Sequence, residues 1–208
     1  MPNNLYLSTA EFATLGLPDS TDPALIRLAS DLVDTYCQRV SVLVTQYSER
    51  SHLPTGIAVT RASYTPLAVP EGGQTPFSSL RARHGVRRGP NAGTLAEIMA
   101  PFGGPPTWVN LDPAQVDYWA STGEIWLPAS IFGVPYSDVE MTYTAGYTEV
   151  PEPVKLACVQ IIRNIESHPA AKVSAAQLDR LQLEYFAGST LDEDVRRMLT
   201  PFVALRLN

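Results

Sequence analysis

The sequence predicts an α+β fold, a small helical bundle of about five helices interrupted by a large antiparallel β insertion with a long loop. Three observations lead there. Apolar residues recur at helical spacing near both ends of the chain, from Leu25 to Val40 and from Val154 to Ile165. Between them, β-branched and aromatic residues come in short runs, and those from Asp138 to Thr144 alternate with polar ones. Many of the 18 prolines and 13 glycines fall between residues 54 and 135, which argues for loops and short strands there. The expected organisation is N-terminal core helices over 1–45, a β-rich insertion over 46–147 with an Arg-bearing loop over 66–107, and C-terminal core helices over 148–208. Neither helical block alone buries its apolar face, so the two are expected to pack together.

The elements follow in order. Ser8-Thr9-Ala10-Glu11 reads as a capping box, in which Glu11 reaches back to the Ser8 amide. Gly16 and Pro18 stop that helix early. Asp22 caps a second helix and Pro23 takes its first position, where a missing N–H does no harm. That helix is predicted over 22–40, with Ile26, Ala29, Val33 and Cys37 on its apolar face. Strand character appears at Val42–Val44 and again over Ile57–Tyr64. The segment 66–107 reads as loop, with a short helix at Leu95–Met99. Trp108–Leu111 reads as a strand, and Val116–Ala120 and Glu124–Leu127 as a hairpin turned at Ser121-Thr122-Gly123. In Asp138–Thr144, Val139, Met141 and Tyr143 share the buried face. Gly146 ends that strand, and Pro151 and Pro153 open a helix that His168-Pro169 closes. A helix over Ala175–Phe186 and a last one over Leu191–Leu207, interrupted by Pro201, complete the plan.

Chemistry is sparse. With 21 acidic and 15 basic residues the formal charge is −6, which disfavours general nucleic-acid binding but allows a local basic patch. One such patch exists: Arg81, Arg83, His84, Arg87 and Arg88, set among glycine and proline. It reads either as a solvated loop or as a finger for phosphate or an acidic protein face, and its lack of interleaved aromatics disfavours base stacking. Cys37 and Cys158 sit at apolar helical positions with no metal or CxxC spacing, so both are expected as free core thiols in a reducing compartment. His52, His84 and His168 lie in separate contexts. No Walker A, GxGxxG, GxSxG or HExxH sequence occurs, so no enzyme activity, cofactor or metal is expected. There is no apolar run of membrane-spanning length, and Met1-Pro2-Asn3-Asn4 does not open a signal peptide. Tyr118, Trp119, Trp126, Phe132, Tyr136, Tyr143 and Tyr147 gather in the later β segment, as core or as a subunit interface.

Four motifs in order carry a resemblance. They are Leu5-Tyr6-Leu7-Ser8-Thr9-Ala10-Glu11 with the helix after Asp22, then Ser121-Thr122-Gly123-Glu124-Ile125-Trp126-Leu127-Pro128, then Tyr143-Thr144-Ala145-Gly146-Tyr147, then Val150-Pro151-Glu152-Pro153-Val154-Lys155-Leu156-Ala157-Cys158. The set resembles the head–tail connector, or adaptor, proteins of long-tailed phages and prophages. It covers residues 1–45 and 116–208 and leaves 66–107 outside. The resemblance implies a non-enzymatic structural subunit of a ring of about twelve copies below the portal, built from heterologous contacts. It further implies a virion neck location after assembly in the host cytoplasm, with double-stranded DNA passing through the channel. The implied partners are the portal and the neck or tail-completion proteins, with Leu191–Asn208 as the portal-docking segment. Tyr143, Gly146, Tyr147, Pro151 and Pro153 would form the structural junction. An acidic chain suits such a conduit, since a channel gripping phosphates would impede passage. Two other readings stand beside it: a DNA-binding or packaging-regulatory protein using Arg81, Arg83, Arg87 and Arg88, and an enzyme with a small-molecule or glycan site among the Trp and Tyr residues.

Overall fold

The structure is a computed structural model that describes residues 5–53, 58–84, 108–128, 136–167 and 190–205. Its α-helices are α1 (Phe12–Leu15), α2 (Pro23–Cys37), α3 (Glu152–Ser167) and α4 (Glu193–Leu199). Its strands are β1 (Thr45–His52), β2 (Val59–Arg61), β3 (Phe77–His84), β4 (Trp108–Asn110), β5 (Asp117–Trp119), β6 (Glu124–Trp126) and β7 (Tyr136–Ala145). The chain divides into a helical unit, residues 1–43 with 147–204, and a β unit, residues 44–146 with 205–208.

In the helical unit, Asp22 caps α2 by accepting from the Ala24 amide at 2.8 Å, with Pro23 in first position. Gln38, at φ 54°, ends the helix in the left-handed region, a few residues short of the predicted end. Ile26, Ala29, Val33 and Cys37 of α2 and Val154, Ala157, Cys158, Ile161 and Ile162 of α3 are buried in one core, with Val195 and Leu199 of α4. Before α1, the Ser8 amide donates to Glu11 Oε2 at 3.0 Å, which is the return half of the expected capping box. Tyr6 is the largest fully buried side chain here and ties three segments together. Its amide donates to Ser30 Oγ at 3.2 Å, and its hydroxyl donates to Asp34 and accepts from the Val42 amide at 2.8 Å.

The β unit holds two antiparallel sheets, ordered β1-β7-β3-β4 and β2-β6-β5. Tyr47 pairs with Tyr143 across β1 and β7, and Leu80 with Met141 across β3 and β7. Tyr47, Leu80, Ala82, Val139, Met141 and Tyr143 from the first sheet share one core with Ile125 from the second. A polar thread crosses this core. The Tyr143 hydroxyl donates to Glu49 Oε1 at 2.9 Å and accepts from the Tyr64 amide at 3.2 Å, and Glu49 also accepts from the Ser63 amide at 3.0 Å. Burial, and after it Glu49, raises the Tyr143 pKa, so the phenol stays a neutral donor.

Three expectations are corrected. The bundle of about five helices with one β insertion is not the fold: among the described residues four α-helices, one of a single turn, accompany seven strands in two separate sheets. The helix expected over 175–186 lies outside the described residues, as does Leu95–Met99. The expected long last helix is only α4, because Pro201 lacks an N–H; the chain winds a 3-10 turn over Thr200–Phe202 and extends at Val203. The β strip is also larger than expected, since β3 falls inside the segment read as loop. Phe77, Leu80 and Ala82 are buried there, but the spacing slips at a bulge between Phe77 and Ser79 and breaks the period of two.

Candidate functional site

Three surfaces concentrate the chemistry among the described residues. The first is the polar face of the four-stranded sheet. Alternation along β7 places Val139 and Met141 inward and Asp138 and Glu140 on the other face. The register sets His52 and Arg83 on either side of Asp138, and Arg50 and Arg81 on either side of Glu140. Trp108 pairs with Arg83 from β4. Arg83 donates to Asp138 Oδ2 through Nε at 3.2 Å and Nη2 at 2.8 Å, and the Ser137 hydroxyl adds a bond at 3.0 Å. Arg50 and His52 approach Asp138 Oδ1 at 3.6 and 3.7 Å. Arg81 pairs with Glu140 at 2.6 Å. The guanidinium carbons of Arg50, Arg81 and Arg83 stand 4.9, 5.3 and 5.3 Å from the Trp108 ring centre.

Asp138 is almost wholly buried, and its ion pairs hold β1, β7 and β3 together. Three guanidinium groups face two carboxylates, so the arginines of the ladder keep one unmatched positive charge. Of the sequence-selected arginines, Arg81 and Arg83 therefore lie on a strand rather than a loop, each ion-paired within the sheet. Arg87 and Arg88 lie outside the described residues. Arg50, His52, Trp108 and Asp138 complete the cluster and were not singled out as its members. Their one sequence signal is the polar alternation of β1 and β7, which does not say which strands pair.

The second surface is the strand-to-helix switch. Tyr143 and Ala145 are fully buried at the end of β7. Gly146 follows at φ 125°, a conformation that disfavours any side chain, and its amide donates to the Pro66 carbonyl at 2.9 Å. Tyr147 begins the returning helical unit; its amide donates to the Val42 carbonyl at 3.0 Å and its ring meets Phe202 edge-on at 5.5 Å. The Pro151 carbonyl accepts from the Val154 and Lys155 amides at 2.9 and 3.2 Å, so Pro151 directly precedes α3 and Pro153 lies in its first turn, where its missing donor is not needed.

The third surface is the outer face of the β5–β6 hairpin. Asp117 pairs with Trp126 and Trp119 with Glu124, which puts all four side chains on one face, while Ile125 points into the core. Trp119 is 64% exposed and Trp126 50%. The Trp126 indole N–H donates to Glu124 Oε1 at 2.9 Å. The four residues line an open groove of about 440 Å³. Gly123, at φ 71°, closes the turn behind it.

No group of three or more His, Cys, Asp or Glu side chains among the described residues is arranged to hold a metal ion. No described helix is long and apolar enough to cross a membrane. Scanned against protein-family models, the chain matches no family, and a search of curated proteins finds no relative.

Proposed function

We propose that this chain is a structural subunit of a head–tail adaptor ring of a tailed phage or prophage, seated in the virion neck below the portal. In this reading double-stranded DNA passes through the ring, and the ring joins the portal to neck or tail-completion proteins. One observation carries it. Of the four motifs that carry the resemblance, the one over residues 143–147 spans the point where the chain leaves the β unit and re-enters the helical one. Each motif residue has a backbone or packing role there: Tyr143 in the core, Gly146 at a left-handed φ of 125°, Tyr147 against Phe202, Pro151 and Pro153 at the start of α3. A subunit repeated around a ring needs a fixed backbone path, because every copy must present the same two patches to its neighbours. The segment from Leu191 onward is the proposed portal-docking element.

The test is the mass of the assembled species by light scattering, for the chain alone and with its cognate portal. The reading expects a closed species at a fixed multiple of the 22.7 kDa chain, bound to portal. A chain that stays monomeric in both conditions removes it.

A second reading, duplex-DNA binding, is favoured by the residual positive charge of the Arg50, Arg81 and Arg83 ladder. Binding through that face predicts a shallow salt dependence, with a log–log slope of roughly −1 to −3, because two of three guanidinium charges are already matched by carboxylates. No retention of duplex DNA at low salt eliminates it.

A further inference from the structure

The hairpin groove joins two exposed aromatic rings to two carboxylates. Trp119 and Trp126 occupy one diagonal of the hairpin, Asp117 and Glu124 the other. Diagonal positions on an antiparallel pair lie about 7–8 Å apart, so one planar group can lie against both rings. The Trp126 N–H bond to Glu124 orients one ring, and the fully buried Ile125 anchors the strand beneath it. Exposed apolar surface rimmed by polar side chains marks an interaction site.

Charge decides what the site takes. Among the described residues neither Asp117 nor Glu124 makes an ion pair. Arg61 is paired in register with Glu124 across β6, but its Nε donates to the Thr122 carbonyl at 2.9 Å. Counting Arg61, the outer face of this sheet holds two carboxylates and one guanidinium, a surplus of one negative charge. The whole chain carries −6. A second copy therefore approaches against like charge, whereas a basic protein approaches with the field. The groove is also too open to enclose a small cation, since four side chains of one hairpin face line it. The rest of the contact must come from the surface that delivers the cation.

We infer that the Trp119–Trp126 groove receives an arginine side chain of a basic partner protein. Arginine satisfies both halves of the site. Its planar guanidinium stacks on indole while its N–H fork bonds to carboxylates, whereas the compact, strongly hydrated lysine ammonium does not stack. Tryptophans that become buried against arginine are the usual energetic centre of a protein contact. The inference does not depend on the ring reading, because all four lining residues belong to one chain.

The probe is a fluorescein-labelled, glycine-spaced peptide with two arginines, set beside peptides with lysine or citrulline in their place. Fluorescence anisotropy reads binding to the full-length chain. The arginine peptide is expected to bind roughly 2- to 5-fold more tightly than the lysine peptide, and the uncharged citrulline peptide not at all. Trp119→Ala with Trp126→Ala is expected to weaken the arginine peptide roughly 5- to 30-fold and to erase its preference over lysine. Asp117→Asn with Glu124→Gln, which keeps both rings, is expected to weaken both charged peptides. Circular dichroism checks folding, and if the tryptophan variant unfolds the charge variant carries the test. Arginine and lysine peptides that bind equally, and unchanged in both variants, would show only general attraction to an acidic chain and overturn the site. A wild type that binds none of the peptides overturns it too. If wild type self-associates without peptide and the tryptophan variant does not, a second copy covers the groove and the basic partner is wrong. A monomeric wild type that prefers the arginine peptide supports the site while the ring reading fails.

Discussion

Tyr6→Phe removes one oxygen from the centre of the helical unit and leaves the ring to fill its space. Two buried groups lose a partner. Asp34, only 8% exposed, loses the phenol donor, and the fully buried Val42 amide loses its acceptor at 2.8 Å. A hydrogen bond to a charged group contributes about 1.5–3 kcal/mol, and an orphaned buried amide costs about 1–3 kcal/mol. The two are not additive, because Ser41 Oγ lies 3.2 Å from the same phenol and can re-aim. A loss of about 3 kcal/mol follows. For a unit of roughly 100 residues this lowers the melting temperature by about 12–20 °C. Burial, and after it the Asp34 hydrogen bond, raises the Tyr6 pKa, so the phenol remains a donor throughout the accessible pH range. Urea and thermal unfolding followed by circular dichroism measure the loss. Tyr36→Phe is the control, since that partly buried tyrosine makes no side-chain hydrogen bond among the described residues and should change stability by under about 0.5 kcal/mol. A Tyr6→Phe variant within 0.5 kcal/mol of wild type would refute the reasoning.

Three further outcomes are expected. Lys155 Nζ, 2.7 Å from Glu11, together with the Ser8 groups, lowers the Glu11 pKa from 4.5 to about 2. A depressed carboxylate stabilises the fold above its unfolded pKa, so the advantage of wild type over Glu11→Gln should vanish as pH falls from 4.5 to 2 in acid titrations; with Glu11 34% exposed, it stays below about 1 kcal/mol. Gly123→Ala should destabilise by about 2–4 kcal/mol in chemical denaturation, since φ is 71° and a Cβ would meet Thr65 Cγ2 at 2.5 Å, whereas Gly72→Ala, with φ 75° and open space, should cost about 1 kcal/mol. Cys37 and Cys158 are fully buried, and burial pushes the Cys37 thiol up to about 12; Ellman's reagent at neutral pH should find no reactive thiol in the native chain and two after denaturation.

The helices that were legible are those whose signals are local. Asp22 and Pro23 announce the start of α2, and Pro151 that of α3, because caps and first-turn prolines act within a few residues. The β5–β6 hairpin was legible for the same reason, with Gly123 at its turn. β3 was not, because glycine and proline flank it and a bulge breaks its period. The candidate surfaces divide in the same way. Trp119 and Trp126 were visible as aromatics, but their exposure follows from which face Ile125 takes into the core. Arg81 and Arg83 were visible as charge, whereas their carboxylate partners lie 59 and 55 positions away and are set by strand pairing. That pairing is a property of the whole sheet, and no local pattern encodes it.

The central claim is that this chain closes into a ring that seats on a portal. Electron microscopy of the purified protein mixed with portal tests it most directly. An adaptor ring would show as an annulus of uniform copy number stacked coaxially on the portal, with an open channel wide enough for duplex DNA. Portal particles without added density, beside free single subunits, would contradict it.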